Sequence, residues 1–558
     1  MSEHQPSSGA PEYLESGSGE PLRPGPAPAD GTPSAGRRGR RRAWWIGGGV
    51  VALLGLGAGA WAALSFFQQG SQPAEALPSS TVAYLSIDLD PSGGQKIDAF
   101  RTLNKFPAFK DQVHIGSVDE LRHKLGDELV SGSHCQGLDY SSDIDPWLGD
   151  RAAVALVDLP DAAPDAVVVV QVKDEDKARE GLQTLDGCAT DSTGDTTGYV
   201  VRHGWAILAD SQDYAEKVAD AADRSTLADD ATYQKWTKAV GEAGVLNAYA
   251  SPDAGRYLAD KMGSLSQLFG PQMQSDSGSS FGYASSSFHA STTANDPLGQ
   301  ALSTFKGGAA TLRFTSDGVE LAMAGDGSSG GLSEVTGNTG GALVQRLPGD
   351  TAAAAGITFP QGWLQRRLDQ LSGLFGGGMT SDDVTRELSQ QTGLDVPSDI
   401  ETLLGSGVSL SVGKDFDFEA ATNSGDGSGL PIALTVKGDP PAIDGVLDKL
   451  RARLGDAAVL SSDSAGDLEV IGPSADYRKQ VLAGGSLGDD ETFQGVVPNV
   501  GDASSVLFVN IDAFESQIEK ASAGDQETLD NVRPLRAIGT SSWTDGDVVR
   551  FSFKITTN

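Results

Sequence analysis

A series of short sequence blocks occurs twice in this chain, in the same order and with similar spacing. The clearest pairs are 227–234 (LADDATYQ) with 487–494 (LGDDETFQ), and 211–214 (SQDY) with 474–477 (SADY). Chance matches would not keep one order and one spacing through a whole series. The repetition therefore predicts two homologous domains, over residues 76–328 and 343–558.

The spacing of apolar residues predicts the fold class of each copy. Alternating apolar residues predict a strand over Thr81–Asp88, and apolar residues on one helical face predict a helix over Gln212–Ala222. Asp317-Gly318 is a strong turn signal between two further strand patterns. Since the predicted strands adjoin as hairpins, with helices in blocks between them, each copy is expected to be α+β with a mainly antiparallel sheet.

An apolar stretch without a charged residue covers residues 43–67 and follows a cluster of arginines. A helix that crosses a bilayer needs about 20 apolar residues, and a basic flank stays on the cytoplasmic side. The stretch therefore predicts a transmembrane signal anchor, with the N-terminus inside and the C-terminal domains outside the cytoplasmic membrane. The residues on which this topology depends are Arg37, Arg38, Arg40, Arg41, Arg42, Trp44 and Trp45.

The same stretch has a second interpretation, as a cleaved export signal. Residues 58–60 (AGA) resemble a small-residue cleavage site. The apolar run continues past this site, however, whereas the apolar region of a signal is usually about 7–15 residues long. Residues 1–42 are rich in Pro, Gly and Ser and lack apolar periodicity, so they are expected to be a disordered cytoplasmic tail.

Charge and cysteine content limit the possible partners and the compartment. The formal net charge is −35, and an acidic surface repels phosphate backbones, so nucleic acid is not an expected partner. The two cysteines, Cys135 and Cys188, form an even set beyond the apolar stretch. In an oxidising compartment they are expected to form one disulfide, and the alternative is a pair of free thiols.

No sequence pattern predicts catalytic, cofactor-binding or metal residues. Residues 327–331 (GSSGG) fit the hydrolase pattern G-x-S-x-G, but no apolar strand precedes them to form a nucleophile elbow. His114, His123, His134 and Cys135 lie close together in the sequence, yet their spacing matches no zinc template. The repeated acidic pairs, at 229–230 and 489–490, each precede a short helix pattern and are interpreted as structural, because the helix dipole favours negative charge at a helix N-terminus.

Two apolar segments, 265–270 (LSQLFG) and 371–376 (LSGLFG), are similar to each other. Both are typical of helix ends that pack into a core and then open into a loop. Alternatively, both line a hydrophobic groove for a lipid or a peptide. The second interpretation predicts a dry cavity near Phe269 and Phe375.

Several segments beyond the apolar stretch resemble a known family. They are 77–88 (LPSSTVAYLSID), 100–107 (FRTLNKFP), 147–151 (WLGDR) and 233–236 (YQKW). These segments resemble the bacterial membrane-anchored family known as domain of unknown function 3352 (DUF3352). The resemblance implies an envelope location and the architecture given above. It implies no activity and no catalytic residues, because the family has no established function.

Together these features predict a membrane-anchored extracytoplasmic protein. Its domains are expected to bind a protein or ligand at the cell envelope, as a scaffold or binding module, without catalysing a reaction and without a cofactor. The first alternative is a carrier of a lipid or other apolar ligand. The second is an unrecognised envelope hydrolase, which would show several titratable groups with perturbed pKa values in one pocket.

Overall fold

A computed structural model describes fourteen parts of the chain. They are residues 71–89, 93–109, 127, 138–160, 162–193, 198–257, 304–327, 337–372, 381–414, 416–417, 427, 429–454, 458–522 and 525–558. Within them, one antiparallel sheet of sixteen strands dominates the architecture. The strands are β1 Thr81–Asp88, β2 Leu148–Leu159, β3 Ala162–Val172, β4 Gly198–Arg202, β5 Trp205–Ala209, β6 Leu246–Ala250, β7 Gly308–Thr315, β8 Gly318–Asp326, β9 Thr351–Thr358, β10 Gly407–Gly413, β11 Ile432–Lys437, β12 Ser462–Ala465, β13 Leu468–Ile471, β14 Ala503–Asn510, β15 Leu535–Asp545 and β16 Val548–Thr557.

Helices lie in the connections between these strands. They are α1 Gly93–Leu103, α2 Glu175–Thr193, α3 Gln212–Ala222, α4 Ala231–Val240, α5 Thr339–Gln345, α6 Trp363–Ser372, α7 Ser381–Thr392, α8 Ser398–Leu404, α9 Pro440–Leu454, α10 Ala475–Ala483, α11 Glu491–Val496, α12 Glu515–Ala521 and α13 Gln526–Val532. Residues 252–257, directly after β6, are also helical. Because helices alternate with blocks of antiparallel strands, the fold is α+β.

The strand order divides the sheet into two halves of the same design. One half runs β4-β5-β3-β2-β1-β6-β7-β8, and the other runs β12-β13-β11-β10-β9-β14-β15-β16. The halves meet where β8 pairs with β16, from Gly318 opposite Thr556 to Asp326 opposite Val548. This pairing joins two strands that would otherwise be open edges with unsatisfied backbone groups. The two sequence copies therefore contribute to one sheet and do not build a sheet each.

Within each half, the same succession of elements lies on either side of one strand pair, here called the central strands. This pair is β1 and β6 in the first half. In the first half, β1, α1, β2 and β3 follow one another, and β6, a helix, β7 and β8 repeat this succession on the other side. β1 and β6 pair with each other, with Tyr84 opposite Tyr249. In the second half, β9 and β14 occupy the same central places, with Ala354 opposite Phe508. The ends of the central strands are therefore brought together with helix termini, and this is where the candidate site lies.

The repeated sequence blocks are turns and caps that start these elements. Thr81 donates a hydrogen bond from Oγ1 to the carbonyl of Pro78 at 2.7 Å, and Thr351 does the same to Pro348 at 2.7 Å. Asp230 caps α4 by accepting from two backbone N–H groups, and Asp490 caps α11 by accepting from the N–H of Phe493. The aspartate oxygens satisfy backbone donors that a helix start leaves free, whereas the threonine hydroxyls donate to backbone carbonyls of the turns before β1 and β9.

One face of the sheet carries the main core. In β1, Val82, Tyr84 and Ser86 are buried on this face, and α3 and α4 of the first half pack against it. Trp236 of α4 is among the largest fully buried side chains, and Phe493 of α11 holds a similar place in the second half. Burying such aromatic side chains supplies a large share of the hydrophobic stabilisation.

The opposite face of the sheet is covered only in part. There α1 packs on Phe314 and Val319, and α9 packs on Val436. Between these helices, four large apolar side chains on four different strands remain between 42% and 46% exposed. They are Met323, Ile357, Leu410 and Leu507. This face is therefore an exposed apolar surface among the described residues.

The predicted fold class needs a correction. The prediction included a disordered tail at residues 1–42 and a membrane-spanning helix at residues 43–67, and both segments lie outside the described residues. Among the helices of the described residues, none is long and apolar enough to cross a membrane. The longest that the structure describes, α2 with 19 residues, has charged residues along its length. The fold class that the structure supports is α+β with one large antiparallel sheet.

The predicted limits of the two domains remain a prediction. The described parts of 76–328 and 343–558 correspond to the two halves of the sheet. No boundary of the sheet falls between them, because β8 and β16 continue it.

Candidate functional site

A polar cleft lies at one end of the first half of the sheet, where β1, β2, β6 and the start of α4 meet. Its volume is about 460 Å³. Six hydroxyl-bearing residues contribute to its wall, namely Ser79, Ser80, Thr81, Thr232, Tyr249 and Ser251. Three acidic residues complete the polar lining, namely Asp158, Asp230 and Asp253. Hydrogen-bond acceptors therefore dominate the cleft.

The local sequence holds the rim of the cleft in place. The backbone N–H of Asp158, the second-last residue of β2, donates to the carbonyl of Ser80 at 3.2 Å. On the opposite rim, the N–H of Ser251 donates to the carbonyl of Val82 at 2.9 Å. The N–H of Asp253 donates to Ser251 Oγ at 3.2 Å. These bonds fix strand ends and not loop tips, so the rim is built on the rigid part of the fold.

Tyr249 is the most unusual residue of the cleft. Its ring packs edge-to-face on Tyr233 with centroids 5.1 Å apart, and Tyr233 in turn contacts Tyr84 at 5.9 Å. The side chain is only 4% exposed and lines the cleft, yet its hydroxyl makes no hydrogen bond with the described residues. This oxygen is not one of the solvent-inaccessible polar atoms that lack a partner among the described residues, so it opens onto the cleft, where a ligand can reach it.

Burial and, next, the negative charge of Asp230 raise the pKa of Tyr249. The phenol therefore stays protonated at neutral pH, and its oxygen keeps lone pairs that are free to accept a hydrogen bond. A protonated phenol in this position serves as a binding group and not as a base.

The electrostatics of the cleft are entirely acidic. Its lining residues include three aspartates and no lysine, arginine or histidine. Asp230 is engaged as the cap of α4, and Asp253 forms an ion pair with Arg256. The carboxylate of Asp158 forms neither an ion pair nor a hydrogen bond within the part of the chain that the structure describes. Asp158 is therefore the acidic group that remains available to a ligand.

Two other concave regions differ from the cleft because each includes an ion pair with an arginine. A groove of about 400 Å³ lies between α12 and α13, where Arg533 bridges to Glu519 at 3.2 Å. A second groove, of about 470 Å³, follows the edge strand β4 and includes the ion pair between Arg202 and Asp220 at 3.0 Å. Neither wall contains a buried polar side chain without a partner among the described residues.

The edge strand β4 is itself protected by side chains. The outward N–H of Tyr199 donates to Gln212 Oε1 at 3.1 Å, and the outward carbonyl of Val201 accepts from Arg179 Nη2 at 3.1 Å. These contacts occupy backbone groups that another strand would use.

The residues that the sequence singled out lie mostly elsewhere. Cys135 lies outside the described residues, and Cys188 belongs to α2, where its side chain is not described, so their disulfide stays a prediction. Arg37, Arg38, Arg40, Arg41, Arg42, Trp44 and Trp45 also lie outside, as do His114, His123 and His134. Of the GSSGG segment, only Gly327 is described, and it directly follows β8, so the expectation that no strand precedes this segment is wrong. Within the described residues, no group of three or more His, Cys, Asp or Glu could hold a metal ion.

Sequence reasoning missed the cleft because its wall comes from four separate parts of the chain. The sequence placed Asp230 at the start of a helix, where the structure finds it as the N-cap of α4, but its neighbours across the sheet were not identified. The available signal was a difference between the copies. Tyr249 in the first copy stands where the second copy has Phe508.

The fold and cleft define a class of duplicated α+β proteins with one shared antiparallel sheet and an acidic, hydroxyl-lined site in one half. The family described as protein of unknown function (DUF3352) matches residues 46–421, which is well over half of the chain. The chain belongs to this family, and the resemblance seen in its sequence is confirmed. No curated protein and no solved structure matches the chain.

Proposed function

We propose that the chain is a non-enzymatic binding protein of the cell envelope, and that its ligand occupies the cleft of the first half. The observation that carries this proposal is Tyr249, whose side chain is only 4% exposed and whose hydroxyl opens into the cleft without a hydrogen bond to the described residues. A ligand in the cleft would find this hydroxyl already held in place by the packing of its ring on Tyr233.

The other residues of the cleft favour binding over catalysis. An enzyme needs a nucleophile or base held beside a group that orients it. In the cleft, Asp230 is engaged by backbone N–H groups and Asp253 by Arg256. Among the described residues, no histidine, cysteine or lysine lines the wall. The hydrolase alternative therefore lacks support from the lining residues.

Mass spectrometry under native conditions tests the proposal on the full-length protein. We expect gently purified protein to retain a discrete extra mass, and the variant Tyr249→Phe to lose most of it. Asp176→Asn is the matched control, because Asp176 is an exposed residue of α2 away from the cleft lining. Equal retention by all three proteins, or no retained mass in any, would contradict binding in the cleft.

The envelope location is part of the proposal and has its own consequence. Disulfides persist outside the cytoplasm, so Cys135 and Cys188 are expected to be oxidised there. Alkylation of the protein from intact cells should label neither thiol before reduction and both thiols after it. Labelling without prior reduction would contradict this location.

A carrier of a lipid or other apolar ligand is the second candidate. The exposed apolar face that carries Met323, Ile357, Leu410 and Leu507 favours it. The segments around Phe269 and Phe375, from which this candidate was first predicted, lie outside the described residues. The same experiment separates the two candidates. A bound lipid should be lost from Leu410→Asp and kept by Tyr249→Phe.

A further inference from the structure

We infer that the ligand of the cleft carries an ammonium group. This inference rests on the proposed function and specifies the chemistry of the ligand. It follows from a comparison with the second half of the sheet. There, the region equivalent to the cleft, here called the corner, is occupied by cationic side chains of the chain itself.

The strand registers define which residues are equivalent. Thr81 lies opposite Val157 beside an irregularity in the pairing, and Thr351 lies opposite Gly413 beside the same irregularity. In β2, the residue after Val157 is Asp158. At the end of β10, the residue after Gly413 is Lys414. Lys414 therefore takes the place that Asp158 has in the cleft.

In the second half, this corner holds an internal ion pair. Lys414 Nζ lies 3.1 Å from Asp350 Oδ2, and Asp350 precedes Thr351 just as Ser80 precedes Thr81. An ammonium group thus already occupies this corner in one of the two copies. The first copy has the reverse arrangement, with a carboxylate on the second strand and a hydroxyl in place of Asp350.

The second half has a second cation in this corner, Arg536. The equivalent cation of the first half makes a different contact. Arg536 Nη2 donates to Thr492 Oγ1 at 2.9 Å in the second half. The matching positions in the first half are Lys306 and Thr232, by the registers of β6 with β7 and β14 with β15. Lys306 Nζ instead lies 3.7 Å from Asp326. The first half therefore has acceptors in its cleft without the cations that the second half supplies.

An ammonium group fits the acceptors that remain. It donates three hydrogen bonds, and the cleft offers the Asp158 carboxylate, the Tyr249 oxygen and the hydroxyls of Thr232 and Ser251. Hydrogen bonds from a cation to a carboxylate are stronger than those between neutral groups. The acidic lining disfavours an anion. Because the volume of about 460 Å³ exceeds that of an ammonium head alone, the ligand is an organic amine. Both a lysine side chain of a peptide and a free polyamine have this chemistry.

Isothermal titration calorimetry on the full-length protein tests the inference with three probes. Spermidine represents a free polyamine, an end-capped trilysine represents a peptide, and maltotriose is a neutral ligand that offers hydroxyls alone. We expect at least one amine to bind, with affinity falling several-fold at high salt because the attraction is ionic. The stronger of the two amines identifies the source of the ammonium group.

Variants of the cleft give the specificity of the test. Tyr249→Phe and Asp158→Asn should each weaken amine binding about tenfold or more, since the first removes a hydrogen-bond acceptor and the second removes the negative charge that strengthens the bond to the ammonium group. Asp176→Asn should bind like the unaltered protein. The double variant Ser80→Asp with Asp158→Lys recreates the ion pair of the second half. It should fold with unchanged circular dichroism and fail to bind amines.

The outcomes distinguish the inference from the proposed function. Maltotriose binding that is sensitive to Tyr249→Phe, without amine binding, would overturn the ammonium inference and leave a binding cleft. Amine binding that no cleft variant changes would place the amines elsewhere on the acidic surface and overturn the inference. If no probe binds at millimolar concentration while native mass spectrometry still shows a retained mass, the inference fails and the proposed function stands.

Discussion

At the scale of single residues, the two halves differ most in their buried polar groups. Asp88 and Arg151 are both buried and form an ion pair at 3.0 Å between β1 and β2. In the second half, the matching positions are Thr358 and Gly407. The ion pair therefore belongs to the half that also contains the cleft. Buried charges are tolerated only when each has its partner.

Removing the cation of this pair should be costly. Arg151→Met removes the cation that pairs with the buried Asp88 carboxylate, and we expect the free energy of unfolding to fall by about 3–5 kcal/mol. Chemical denaturation measures the loss. The exposed pair of Arg101 with Asp98 is the control, and Arg101→Met should cost less than about 1 kcal/mol. Equal losses in both variants would contradict the importance of burial.

Tyr214 provides a prediction for alkaline pH. Its hydroxyl donates to the carbonyl of Val157 at 2.7 Å, and burial is the main cause that raises its pKa to about 12. A raised pKa means that the fold prefers the protonated phenol. Its contribution to stability is complete below the ordinary tyrosine pKa of about 10, and is lost as the pH rises from there through the folded value.

The difference in phenolate absorbance between the unaltered protein and Tyr214→Phe should isolate this group. We expect one tyrosine to ionise about two pH units later than an exposed one, and to do so as the protein begins to unfold. Ionisation of this group near pH 10 in the folded protein would contradict the prediction.

At the scale of elements, short polar motifs decide where the helices begin. Asp490 is the N-cap of α11 and accepts a hydrogen bond from the N–H of Phe493 at 2.9 Å. Its neighbour Asp489 belongs to the preceding turn and does not cap the helix. The sequence shows two adjacent aspartates, and the structure assigns the capping role to the second.

This assignment gives a matched pair of variants. Asp490→Ala should lower the free energy of unfolding by about 1 kcal/mol, because one helix N–H loses its acceptor. Asp489→Ala should change it by less than about 0.5 kcal/mol. Thermal or chemical denaturation of both variants measures the difference. A larger loss for Asp489→Ala would show that the cap had been assigned to the wrong residue.

Elements with a clear apolar period could be predicted from the sequence. The strand Thr81–Asp88 and the helix Gln212–Ala222 have the bounds that the period predicted. The order of the strands could not be predicted. Any strand with one apolar face suits several neighbours, and the pairing of β8 with β16 joins positions far apart in the sequence. The cleft was missed for the same reason, because Asp158, Asp230 and Tyr249 meet only after strands and helices have packed.

At the scale of the whole molecule, the two halves are joined by more than the sheet. Lys235 of the first half pairs with Asp547 of the second at 3.0 Å. The segment after α1 makes two further contacts with the second half. Lys105 Nζ donates to Thr557 Oγ1 at 2.8 Å, and the N–H of Ala108 donates to Asn531 Oδ1 at 2.9 Å. Backbone pairing of β8 with β16 runs between these contacts. The halves are therefore coupled energetically.

This coupling predicts a single unfolding transition for both halves. Scanning calorimetry should give one endotherm, with equal calorimetric and van't Hoff enthalpies. Ala322→Pro removes a ladder hydrogen bond from the central strand β8 and should shift the whole transition to lower temperature. Two separate transitions in the unaltered protein, with one of them insensitive to Ala322→Pro, would show that the halves unfold independently.

The protected edge strand has a consequence for how large this architecture can become. The two outermost strands, β4 and β12, have only five and four residues, and the backbone of β4 is blocked by Gln212 and Arg179. The long strands β8 and β16 pair with each other, so neither is an edge strand. A third copy of the repeat would thus find no free long strand to extend, and neighbouring molecules would find none to polymerise on. In this arrangement, two copies complete the sheet, because a further copy has no long strand with which to pair.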